Sequence, residues 1–167
     1  MSLTTVGSRQ LTKNPLDLVE ELVSVNDWAY ERAAVDELAV EVSGRWSEYR
    51  LFFLWQEDAA AMHFSCLFDH RVPNRKFNEV SRLLAIINEK LWLGHFDLSS
   101  DDGTPVFRHT LLLRGIINPS VEQMEDMIDY AMTECERFFP AFQFVVWGGK
   151  EPNEALAAAM IDVEGEA

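Results

Sequence analysis

Cysteine is nearly missing from this chain: Cys66 and Cys135 are the two in 167 residues. Each falls in an apolar stripe, so they read as buried small hydrophobes rather than as a disulfide framework. Basic residues are scarce too. Fourteen lysines and arginines face 28 acids, a formal net charge of −14. After residue 118 the imbalance is sharpest, with eleven acids against Arg137 and Lys150. Such a field repels phosphate backbones and anionic lipid, which argues against nucleic acid and membrane surfaces. Basic or apolar segments of other proteins are favoured as partners. No run approaches the ~18 apolar residues of a membrane span. The polar first residues, with Arg9 and Lys13, hold no apolar stretch that would direct secretion. The expected location is the cytoplasm.

Chemistry-bearing patterns are equally thin. His63, His70, His95 and His109 form no H-x3-H or H-E-x-x-H spacing, which argues against a metal site, and each reads as a surface or hydrogen-bonded structural residue. A cysteine nucleophile needs an exposed, low-pKa thiolate, and Ser65 lacks the context of a nucleophile elbow. The carboxylates near the end of the chain recur at helical spacing, as a solvated helix face does. No catalytic residue and no cofactor is expected, and the chain reads as a non-enzyme.

What the chain has is core. Hydrophobic residues make up 48% of it, ample for one domain at this length. Residues 1–13 read as a flexible arm and 14–167 as a single α+β domain. Asn14-Pro15 opens a first helix, with Leu16, Val19, Leu22 and Val23 on one face. Four strands follow: one near 28–32, one carrying Leu38, Val40 and Val42, one over 49–55 and one around Met62, Phe64, Cys66 and Phe68. The third has Tyr49, Leu51, Phe53 and Trp55 on one side, and Phe52 and Leu54 on the other. A strand apolar on both faces is expected mid-sheet with both faces covered.

A second helix begins at 72–74, runs through Phe77, Val80, Leu83, Leu84, Ile87 and Leu91, and is closed by Gly94. Strands at 95–98 and 106–114 pair through the polar link 99–104. Asn118-Pro119-Ser120 caps a last long helix, which Pro140 should kink and Gly148-Gly149 should end. A short helix over 154–161 finishes the chain. The order is α-β-β-β-β-α-β-β-α plus that short helix, an antiparallel sheet with helices packed on it. The three main helices cover one sheet face. Leu54, Leu67 and Leu112 make the other partly apolar, so either the C-terminal helix or a second copy of the chain should cover it. A homodimer is the favoured reading.

Two groups of residues could carry recognition. Glu89 ends the second helix, and Arg108 lies on the strand face that could point back toward it. An ion pair between them, with Trp92 across it and His95 nearby, would act either as a structural clamp or as a polar pocket for a small ligand. The second group is the tryptophans, among them Trp46 after a turn and Trp55 at a strand end. Such anchors serve equally as interface hot spots and as lids on a core.

Several stretches taken together are distinctive: Trp28-Ala-Tyr-Glu-Arg, Gly44-Arg-Trp-Ser-Glu-Tyr, Asn88-Glu-Lys-Leu-Trp-Leu-Gly-His-Phe-Asp, Phe107-Arg-His-Thr-Leu-Leu-Leu-Arg-Gly and Phe139-Pro-Ala-Phe-Gln-Phe-Val-Val-Trp-Gly-Gly-Lys. They resemble the YbjN-domain family in its alphaproteobacterial form, over nearly the whole chain from about Asn14. The resemblance implies a type III secretion chaperone-like α+β fold, often dimeric. It also implies a role in sensory transduction with links to stress and motility control, and no established enzymatic activity or catalytic residue. The expected function is that of a non-catalytic regulator or chaperone-like adaptor that binds another protein. The alternative is a small-molecule-sensing regulator with a pocket near the end of the second long helix.

Overall fold

Side-chain parity decides most of this fold. The computed structural model describes residues 3–4 and 10–164, and the arm expected over 1–13 lies largely outside them. Thr12 and Lys13 are nonetheless tied down: the Thr12 hydroxyl donates to the Leu113 carbonyl at 3.0 Å, and the Lys13 amide to that of Ile117 at 2.9 Å. The elements are α1 (Leu16–Val25), β1 (Ala29–Ala34), β2 (Glu37–Ser43), β3 (Glu48–Gln56), β4 (Ala61–Phe68), a 3-10 turn (Asn74–Lys76), α2 (Phe77–Asn88), β5 (His95–Leu98), β6 (Pro105–Leu112), α3 (Val121–Val146) and α4 (Pro152–Glu164). All six strands join one antiparallel sheet in the order β1-β2-β3-β4-β6-β5. The fold is α+β, with the expected element order.

One face of that sheet is the floor of the core. Leu38, Val40, Tyr49, Leu51, Phe53, Trp55, Met62, Phe64, Cys66 and Phe68 alternate onto it and are buried. Phe68 and Phe96 form an aromatic hub there. Phe68 meets Tyr49 at 5.4 Å and Phe142 at 5.3 Å between ring centres, and Phe96 meets Phe107 at 5.5 Å and Phe138 at 6.0 Å. Edge-to-face contacts of this kind add to the ~1.5–3 kcal/mol that burial of each large side chain supplies. Cys66 and Cys135 lie opposite one another in this core as free thiols, Sγ to Sγ 3.6 Å.

Local chemistry sets the helix ends. Asn14 Oδ1 accepts the Leu16 amide at 2.9 Å to start α1. Ser120 and Gln123 form a reciprocal capping box at the start of α3, with the Gln123 amide donating to Ser120 Oγ at 3.2 Å and Gln123 Oε1 accepting the Ser120 amide at 2.9 Å. Beyond that point α3 continues to just short of Gly148 and Gly149. The helix passes through Pro140 without a break and runs 26 residues, about 39 Å. Proline removes one backbone bond, and Phe138, Phe139, Pro140 and Phe142 are all buried around it. The other helices differ from expectation at their ends. α2 stops at Asn88 rather than at Gly94; Gly94, at φ 64, instead serves the turn into β5, where a Cβ would strike the Phe107 ring and the Arg108 carbonyl. The last helix is longer than expected, 13 residues rather than a short tail.

The largest correction concerns the second sheet face. α4 buries Ala155, Leu156 and Ala159 against α3 and α2, on the side the helices already occupy. It therefore does not cover the other face. Phe52 and Leu54 stand 39% and 42% exposed and Leu112 77% exposed. β3 is mid-sheet as expected, yet covered on one side alone.

Candidate functional site

The bare face is laid out by strand register. Cross-strand pairing puts Glu31, Ala39, Phe52, Ser65, Arg108 and His95 in one row from edge to edge. The row on one side holds Ala29, Glu41, Arg50, Leu67, Val106 and Asp97. On the other side lie Glu37, Leu54, His63 and Thr110, with Gln56, Ala61 and Leu112 beyond them. Apolar side chains therefore sit along the middle. Glu31, Glu37 and Glu41 gather on β1 and β2; Arg108 and His95 lie toward β6 and β5.

The polar groups on this face are partly satisfied. His63 spans Thr110 Oγ1 at 3.0 Å and Gln56 Oε1 at 3.1 Å, the hydrogen-bonded structural histidine its sequence suggested. Arg50 reaches Glu41 at 3.4 Å, between two well-exposed groups. Two hollows share Glu41 and Arg50. One, of about 580 Å3, is bordered also by Glu48, Leu67, His70 and Arg71 and by Asp102 of the 99–104 loop. The other, of about 380 Å3, lies over Ala29, Glu31, Ala39 and Phe52. The first has the volume of a small-molecule pocket, but it is a shallow, largely polar trough. Asp102 within it is held ionised below the usual carboxylate range, chiefly by bonds from Thr104 and also from Ser99, with Arg71 at 4.0 Å assisting.

The residues singled out from sequence scatter. Trp55 is 5% exposed and belongs to the core, because it shares parity with Leu51 and Phe53. Trp46 is half-exposed in the β2–β3 turn, with the Arg45 guanidinium 4.9 Å from its ring centre. Glu89 and Arg108 do not pair with each other: Arg108 reaches Asp97 at 3.8 Å, since its parity turns it onto the bare face. Trp92 is 81% exposed and leans on Tyr130 of α3, ring centres 5.0 Å apart. His95 is exposed beside Arg108 in the register. Glu89, Trp92, His95 and Arg108 line neither hollow.

The clamp expected of Glu89 and Arg108 is supplied by a neighbour. Asn88 Nδ2 donates to the Phe96 carbonyl at 3.0 Å and Asn88 Oδ1 accepts the Phe96 amide at 2.7 Å, fixing the end of α2 to β5. A second clamp joins the β2–β3 turn to α3, where the Arg45 amide donates to Glu136 Oε2 at 2.9 Å. Tyr49 lies beside Glu136, and burial with that carboxylate pushes the phenol far above its ordinary value. Burial likewise raises the Cys135 thiol, which disfavours the thiolate a nucleophile requires. Burial and the neighbouring His95 lower His109. Among the described residues no three His, Cys, Asp or Glu side chains gather as for a metal ion, and no helix is long and apolar enough to cross a membrane.

The chain is thus a two-layer α+β domain, with helices on one side of its sheet and a second side that the described helices leave bare. The family is equally plain. Residues 15–144 match YbjN, described as "Putative bacterial sensory transduction regulator", and the chain belongs to that family. Its fold is similar to the crystal structure of "YbjN, a putative transcription regulator" from E. coli, with a TM-score of 0.52 over 75% of this chain and 88% of that one. Identity there is 12%, so the likeness speaks for the fold alone. No curated protein matches the sequence.

Proposed function

We propose that this protein is a non-catalytic regulator of the cytoplasm that works by binding another protein, as a homodimeric, chaperone-like adaptor. The observation that carries this reading is the bare sheet face, where Phe52, Leu54 and Leu112 stay exposed after every described helix has packed elsewhere. Apolar side chains grouped on one face mark contact surfaces. The acidic surround, within a chain of net charge −14, favours a basic partner. The family description, regulatory rather than enzymatic, agrees.

The test is affinity capture of the tagged protein from lysate of its own host, quantified against a tag-only control. The expected result is a few partners at fixed ratio, lost with Phe52→Asp or Trp46→Ala. If no protein were enriched under any growth condition, the adaptor reading would be withdrawn. A second reading, a small-molecule sensor, draws support from the 580 Å3 hollow, where Arg50, Arg71 and His70 meet several carboxylates. A rise in melting temperature with a charged metabolite, abolished by Arg50→Met, would favour it over the adaptor.

A further inference from the structure

We infer that the bare sheet face is a self-association surface, on which two copies pack face to face about a twofold axis running along the strands between β3 and β4. This rests on reading that face as a contact surface, and it names the first occupant as a second copy of this chain. Three observations lead there.

The first is charge. A twofold axis lying in the interface can run along the strands or across them. Across them, Glu31, Glu37 and Glu41 of one copy would meet the same three acids of the other, a desolvated like-charge contact. Along them, between β3 and β4, β1 exchanges places with β5 and β2 with β6. Glu31 then faces the partner's His95, and the partner's Arg108 arrives over Ala39, within reach of Glu31 and Glu37. A twofold interface must be self-complementary; this axis sets His95 and Arg108 against Glu31 and Glu37, and the one acid it brings to that end, the partner's Asp97 over Ala29, arrives with Arg108 of its own chain 3.8 Å away. Arg108 is able to take part, because its contact with Asp97 is long, 3.8 Å, and both groups are about half exposed.

The second is the apolar centre. The same operation lays Phe52 on the partner's Ser65 and Leu54 on the partner's His63, a large side chain against a smaller or flat one rather than ring against ring. The third is extent. Six strands at ~4.8 Å spacing and three or four side-chain rows at ~6.8 Å give a face of roughly 600 Å2, so a pair would bury on the order of 1,200 Å2, at the lower limit of specific interfaces. Aligned sheets pack about 30° from parallel, and long side chains such as Glu31 and Arg108 span that divergence.

The test is sedimentation equilibrium on purified full-length protein with no partner added, for the unaltered chain, Glu31→Arg, Arg108→Glu and the double variant. All substituted positions are solvent-exposed, and far-UV dichroism confirms that each variant folds. The expected result is a dimer for the unaltered chain, at least tenfold weaker association in each single variant, and recovery in the double. Phe52→Asp should give a monomer. A chain that stays monomeric at high micromolar concentration overturns the inference and leaves the face to a foreign protein or ligand, with lysate capture still deciding the adaptor reading. A dimer indifferent to all these substitutions places association elsewhere and overturns it equally. Single variants that weaken association without recovery in the double overturn the proposed axis.

Discussion

Phe52 and Phe53 are neighbours in sequence and opposites in fate. Phe53 points into the helix-covered side and is 1% exposed; Phe52 points the other way and is 39% exposed. Around Phe53 the polar groups serve structure: Arg32 bridges Glu20 and Asp17, Asn88 clasps Phe96, and Glu136 holds the β2–β3 turn. Around Phe52 they are exposed charges, with Glu31, Glu37 and Glu41 on β1 and β2, and Arg108 and His95 with Asp97 on β6 and β5. One face of the sheet is spent on stability, and the other keeps apolar area that stability does not use.

That contrast is breakable by measurement. Phe53→Ala should cost ~3–5 kcal/mol in urea unfolding, since it leaves a cavity beside Phe64. Phe52→Ala should cost less than ~1 kcal/mol at dilutions where the chain is monomeric, and change only the concentration-dependent part of stability. Equal costs would erase the distinction. Gly44→Ala should come next, at ~1–3 kcal/mol of overpacking, because a Cβ there would collide with Glu136 Oε1 and the Tyr49 ring. The same unfolding series measures it.

Arginines on the two sides sharpen the comparison. Arg32 is 19% exposed, pairs with two carboxylates and donates to the Ala34 and Val35 carbonyls; Arg32→Met should cost ~1–2 kcal/mol. Arg50 on the bare face is 60% exposed and, among the described residues, pairs with Glu41 alone. Arg50→Met should cost less than ~0.5 kcal/mol in the monomer, with chemical denaturation again the readout. Two groups on the covered side should add a pH dependence that is smaller still. Tyr49 keeps its proton when folded but releases it when unfolded above pH ~10, so stability should fall as pH rises past that value, and less so in Tyr49→Phe. His109 has a lowered pKa when folded, so the unfolded chain takes up its proton first. Stability should decline as pH drops below ~6.5, with His109→Gln flattening that limb in thermal melts.

The element order and the core stripes were legible in the sequence because they follow from periodicity, which a single chain displays in full. Phe52 and Leu54 were visible as a second apolar side of β3. What periodicity cannot carry is which side the helices choose, and α4 chose the side already filled. Arg108 shows the same limit: its parity was readable, its partner was not, because β5 brings Asp97 closer than α2 brings Glu89. Trp55 looked like a strand-end anchor and is core by the parity it shares with Phe53. The rows of the bare face, and the placing of charge along them, exist only once β6 has inserted between β4 and β5.

The central claim is that the bare face is the surface on which two copies of the chain meet. Hydroxyl-radical footprinting of the purified chain over a concentration series tests it directly. Phe52, Leu54 and Leu112 should lose reactivity as concentration rises, while Trp92 and Trp147, exposed outside that face, should keep theirs. Constant labelling of the first three at every concentration, or protection centred on the two tryptophans, would contradict the account.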